Sequence, residues 1–153
     1  MRGPLSNKTR WVALSIAGLV ALFGALEVVG HWTGLDLNFE DRLVPEVGKL
    51  HGVPLARMSP LTGALFFFGA MAPIMLLAGS FLEHKRRLLE DISGMAGSLV
   101  LFGGATVLLA YLYGTPLMYE GKTIPMAATT AIGFLLLGLA FLCAADEGTI
   151  PRR

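Results

Sequence analysis

The chain has 153 residues, of which 54% are hydrophobic and only 15% charged, with a net charge of +1. A soluble domain of this size carries about 25% charged residues, so this composition leaves too little polar surface to cover a water-soluble globule. Basic residues do not cluster with interleaved aromatics on a polar face, which argues against nucleic acid as a partner.

A bilayer core about 30 Å thick takes roughly 20 apolar residues in helical form, because backbone polar groups in lipid must be satisfied within the segment. Four stretches reach that length. The first runs from Trp11 to about Gly30 and is interrupted only by Glu27. It reads as a retained anchor, since its apolar core exceeds the usual signal-peptide length and no small-x-small cleavage site follows. Ala13, Ala17, Ala21 and Ala25 form a ridge of small residues on it, with Gly18 and Gly24 alongside, a surface suited to close helix packing.

Near the end of this span Glu27 and His31 stand four residues apart on one helix face, with Trp32 next to them. An ionisable group in a membrane span is a functional candidate by default, and a Glu and His at this spacing can share a proton or help hold a ligand. The alternative is an interfacial anchor, because Trp concentrates at the membrane surface, where water solvates the pair.

Residues 31–59 form the longest polar segment. Leu35, Leu37, Phe39, Leu43, Val44, Val47 and Leu50 recur among Asp36, Glu40, Asp41, Arg42 and Glu46, a mixture that suits a short helix or turn in the headgroup region, with Pro45 limiting any helix to short pieces. The second span runs from about Leu61 to Leu82. Pro73 at its middle removes a backbone hydrogen bond and predicts a kink, and Phe66, Phe67 and Phe68 point three ways round the helix, so that at least one ring faces lipid or a partner.

The third span, Ile92 to Tyr113, carries Ser93, Gly94, Gly97, Ser98, Gly103 and Gly104, which leave one side almost bare of side chains and again predict close contact. The fourth runs from Ile124 to Ala145 and contains the single cysteine, Cys143, which reads as a small buried hydrophobe. Arg2, Lys8, Arg10, Lys85, Arg86, Arg87, Arg152 and Arg153 place eight of the twelve basic residues on one side, so both termini are expected in the cytoplasm of a bacterial inner membrane.

The two halves of the chain resemble each other. Ala17 to Gly24, AGLVALFG, matches Ala96 to Gly103, AGSLVLFG, at an offset of 79. Met58, Thr62 and Phe66 recur as Met126, Thr130 and Phe134 at an offset of 68, the difference being absorbed by the longer first outer loop. The expected fold is therefore an all-α integral membrane protein of four transmembrane helices, built as two tandem hairpin repeats that run in the same sense, about 11–82 and 92–145, in a single membrane domain.

No motif for catalysis emerges. The sequence has no HExxH, P-loop or dinucleotide glycine signature, and its three histidines, His31, His51 and His84, lie outside the spans, away from positions that would ligate a haem between helices. No enzymatic activity, metal or resident cofactor is expected, although lipid, quinone or pigment contact with the apolar faces is compatible with the sequence.

Arg57-Met58-Ser59-Pro60-Leu61-Thr62 opening one span, Ile124-Pro125-Met126 through Thr130-Ala131 and Phe134-Leu135-Leu136-Leu137-Gly138-Leu139 in another, and Gly34-Leu35-Asp36-Leu37 after the first span resemble a recurring bacterial pattern. It is similar to the amino-terminal membrane region of sensor histidine kinases and diguanylate cyclases. The resemblance implies an input or anchoring module, and it supplies no functional residues to carry across. In this sequence no PAS, kinase or cyclase domain follows up to Arg153, which leaves a fragment or a free-standing subunit as alternatives. Three readings follow: an accessory subunit of a larger respiratory or photosynthetic membrane complex, a sensory input module, and a small transporter, the last disfavoured by the scarcity of polar residues at mid-span.

Overall fold

A computed structural model describes residues 6–35, 37, 49–50, 53–54, 58–114 and 125–144. Helix α1 spans Asn7–Thr33, helix α2 Pro60–Gly79, helix α3 Arg86–Leu112 and helix α4 Ala128–Ala144, with a short 3₁₀ turn at Glu83–Lys85 between α2 and α3. The first three are long and apolar enough to cross a membrane. Helix α4 is as apolar but has 17 described residues, about 26 Å at 1.5 Å per residue. Ile124, where the fourth span was expected to begin, and Ala145, where it was expected to end, lie outside the described residues.

The boundaries follow local hydrogen bonding more than hydropathy. Helix α1 begins four residues before its apolar run because Ser6 caps it, its hydroxyl accepting from the Thr9 N–H at 3.2 Å. It ends at Gly34, whose positive φ of 69° lets the chain turn back and its N–H reach the Gly30 carbonyl. Ser59 caps α2 in the same manner as Ser6, with Pro60 in the first turn where its missing N–H has no cost. Helix α2 ends earlier than Leu82: the Ser80 hydroxyl donates to the Leu77 carbonyl at 2.6 Å, and Phe81 and Leu82 form a turn. Helix α3 starts six residues before its apolar stretch, and Arg86 and Glu90 join through a 2.7 Å ion pair in that polar first segment.

Helix α2 continues through Pro73. Of the loop 31–59, expected to hold a short helix or turn, the described residues include a two-residue antiparallel pairing, β1 (Lys49–Leu50) with β2 (Val53–Pro54); Pro45 and most of the loop lie outside the described residues.

The helices pack in an open order. Helix α1 lies along α2, α2 along α3 and α3 along α4, while α2 touches α4 over a short stretch; α1 and α4 share no packed stretch among the described residues. The core holds Leu65, Val100, Val107, Met126, Ala131 and Phe134, with Leu61, Phe66 and Tyr111 against it. It therefore sits among α2, α3 and the start of α4, leaving α1 on the flank.

Candidate functional site

Two backbone-to-backbone seams hold the helices together, and both depend on glycine. On α1 the buried positions are Ala17 and Gly24. A Cβ on Gly24 would lie 2.5 Å from the Gly63 carbonyl oxygen and 2.8 Å from the Phe67 nitrogen. The seam continues at Gly63, where a Cβ would meet the Glu27 Cβ at 2.9 Å. Such contacts let two helices approach until their backbones touch, which in lipid substitutes for the missing hydrophobic drive.

The second seam joins α3 to α4. A Cβ on Gly104 would lie 2.7 Å from the Ala131 carbonyl oxygen and 2.8 Å from the Leu135 nitrogen. A Cβ on Gly138 would lie 2.5 Å from the Leu101 nitrogen, and one on Gly97 would lie 2.9 Å from the Phe141 Cβ. The Tyr111 hydroxyl donates to the Met126 carbonyl at 2.7 Å, tying the end of α3 to the entry of α4.

Between the pairs, Leu65 of α2 covers Gly103 of α3, where a Cβ would lie 2.6 Å from the Leu65 Cδ2. Phe66 of α2 meets Phe134 of α4 edge to face, centroids 5.0 Å apart.

The sequence-expected packing residues divide accordingly. Ala17, Gly24, Gly94, Gly97 and Gly104 are buried, and Gly103 is covered by Leu65. Ala13, Ala21 and Ala25 are half-buried, so of the four-alanine ridge only Ala17 is fully covered within the chain. Gly18 meets no neighbour within the chain: among the described residues a Cβ there finds nothing within 4 Å, because it stands about 120° round α1 from the Gly24 line. The contact follows positions seven apart, 17 and 24, and four-residue spacing rotates away from that line. Cys143 is corrected. It is exposed, on a face of α4 turned away from α3.

Phe68 is the ring of the phenylalanine triplet that faces outward. Phe67 packs on it, centroids 5.5 Å apart. At the other end of α1, Trp11 lies 6.0 Å from Phe81, and the Arg10 guanidinium sits 5.7 Å above the same ring, so an aromatic and cationic cluster fastens α1 to the turn after α2.

Glu27, His31 and Trp32 do not form one enclosed site. Glu27 is half-buried with its methylene stem on Gly63, whereas His31 is exposed and Trp32 is 84% exposed at the helix end. Among the described residues no group of three His, Cys, Asp or Glu side chains comes together.

The feature that sequence reasoning missed is a groove. Leu19, Val20 and Phe23 of α1 with Phe66 of α2 and Met58 just before it line an apolar groove of about 350 Å³. A second hollow of about 610 Å³ at the opposite end is lined by Leu76, Gly79, Ser80, Glu83, Arg86 and Glu90, with Ala144, and belongs to the polar turn between α2 and α3. No signal of spacing marks the groove, because its lining comes from two elements separated by a long loop.

Comparison with known proteins gives no matching family model, no similar curated protein and no similar solved structure.

Proposed function

We propose that the chain is a non-catalytic membrane module of two duplicated helical hairpins, four crossings in all, that acts through helix and lipid contacts as an accessory subunit of a larger membrane assembly. The observation that carries this reading is the recurrence of the glycine seam. Gly63 and Phe67, which meet Gly24, stand 68 residues before Ala131 and Leu135, which meet Gly104. That is the offset at which Met58, Thr62 and Phe66 recur. Gly24 and Gly104 stand 80 apart, as do the two glycines of positive φ, Gly34 and Gly114. In the first and third helices the contacts thus favour an alignment one residue beyond the best match of letters.

Further support comes from the outer surface. Trp11, Val12, Ile16, Leu19, Leu22, Phe102, Leu109, Leu136 and Leu139 are exposed around the bundle, an apolar belt that only lipid or other membrane helices can cover. A native pull-down of the tagged full chain, solubilised in mild detergent, tests the role. Stoichiometric recovery with subunits of one membrane complex is the expected result, and recovery of the chain with no other protein would sink the accessory reading.

A sensory input role is the second reading. The open groove favours it, since a small molecule lodged there against α1 and the start of α2 would shift the two helices against each other. Replacing Glu27 or His31 would then change ligand binding, which the accessory reading does not require.

A further inference from the structure

Phe81, in the turn that follows α2, meets two neighbouring residues of α1. The Arg10 guanidinium sits 5.7 Å from its ring centroid, and the Trp11 ring lies 6.0 Å from it. Arg10 is half-buried, and among the described residues its guanidinium faces no carboxylate. A ring face attracts a cation and fixes its position, but it brings no counter-charge.

The same end of the bundle carries Lys8 on α1, and Lys85, Arg86 and Arg87 where the 3₁₀ turn runs into α3. Against these five cations stand Glu83, Glu90 and Asp91, so the described residues leave this end two positive charges in excess. Glu90 is already paired with Arg86. Lys8, Lys85 and Arg87 are exposed and have no ion-pair partner among the described residues.

Apolar surface borders the charges. Trp11, Phe81, Leu82 and Leu88 are large side chains exposed around Arg10 and the turn. They stand where α1 and α2 leave their apolar runs, which is headgroup level for two helices long enough to cross a membrane. A positioned cation without a counter-ion, next to uncovered aromatic surface, matches an amphiphile that carries a negative charge. A soluble acid or an acidic peptide would satisfy the cation and leave Trp11 and Leu82 bare.

We propose that this end of the bundle holds an anionic phospholipid, its phosphodiester on Arg10 within the field of Lys8, Lys85 and Arg87, and an acyl chain along Trp11 and Phe81. The proposal names the class of lipid in the lipid contacts of the proposed function; it rests on the membrane-spanning reading and is independent of the accessory role. A zwitterionic lipid fits less well, because its own ammonium would stand amid the excess of positive charge. Each Lys or Arg near an anionic membrane surface strengthens binding about fivefold.

Native mass spectrometry of the full chain in mild detergent tests this, with phosphatidylglycerol and phosphatidylethanolamine of the same acyl chains added in turn. The chain is expected to bind the anionic lipid about fivefold or more tightly. Arg10→Gln should remove most of that preference and leave phosphatidylethanolamine binding as it was. Lys49→Gln, the same change of charge in the loop at the opposite end of α1, should leave the preference intact.

A second measurement keeps Arg10 in place, for the case in which its replacement does not fold. In a Trp32→Phe background the remaining tryptophan is Trp11. In vesicles, phosphatidylglycerol with brominated acyl chains should quench its fluorescence more strongly than brominated phosphatidylethanolamine at the same mole fraction. Equal affinity or equal quenching by the two lipids overturns the proposal, and so does an equal loss of preference in Arg10→Gln and Lys49→Gln, which would assign it to diffuse charge. Displacement of the lipid by glycerol 3-phosphate at a similar concentration overturns it in favour of a soluble anion. A chain that stays dispersed in buffer without detergent and binds neither lipid would overturn the membrane reading as well.

Discussion

Gly24 and Gly63 bring α1 and α2 into backbone contact: a Cβ on Gly24 would lie 2.5 Å from the Gly63 carbonyl oxygen, a distance that no side chain occupies without moving one of the helices. The atom in the way is main chain, so no rotamer change relieves it. Gly18, six residues earlier on the same helix, has open space where a side chain would go. The two glycines therefore predict opposite responses to the same substitution.

Gly24→Val is expected to lower stability by about 1–3 kcal/mol, the usual range for overpacking, and to loosen α1 from the bundle. Gly18→Val should stay within about 0.5 kcal/mol. Thermal or denaturant unfolding of the purified protein in detergent checks both, and equal effects at the two positions would contradict the seam.

Gly104→Val should repeat the Gly24 result on the other hairpin, because its Cβ would lie 2.7 Å from the Ala131 carbonyl oxygen. A loss of similar size, about 1–3 kcal/mol, is expected from the same measurement.

Tyr111→Phe removes the hydroxyl that donates to the Met126 carbonyl at 2.7 Å. Unfolding should come about 0.5–1.5 kcal/mol sooner, the net value of one such bond. Hydrogen exchange at the amides that open α4 should rise in parallel, since this bond fixes the entry of that helix.

Ser93 is fully buried, and its hydroxyl has no hydrogen-bond partner among the described residues. An unsatisfied buried polar group is unfavourable by about 1–3 kcal/mol, so Ser93→Ala is expected to leave the protein as stable or to make it more so. A clear loss on melting would show that the hydroxyl finds a partner in the membrane.

Arg86→Ala breaks the ion pair with Glu90 at 2.7 Å, but the arginine side chain is 61% exposed. Exposed pairs spaced four apart on a helix contribute about 0.3–0.5 kcal/mol, so the change in unfolding should be near the limit of measurement and should vanish in high salt.

Sequence alone determined the helical class and the placement of the four apolar runs, because the length of an apolar helix is set by its own residues and by the thickness of the bilayer. It also singled out Gly24, Gly97, Gly103 and Gly104 as close-contact positions, for small residues in an apolar helix have few other uses. Helix ends were less legible, since Ser6 and the polar first turns of α3 carry helix beyond the hydropathy signal. Only the tertiary structure decided which small residues meet a neighbour. Gly18 and Gly24 are alike as letters, and a rotation of about 120° around α1 puts one in the seam and leaves the other in the open. The groove at Val20 and Phe23 was likewise invisible, because its walls come from α1 and from Met58 and Phe66 beyond a long loop, and the meeting of distant segments leaves no trace in either segment's own pattern.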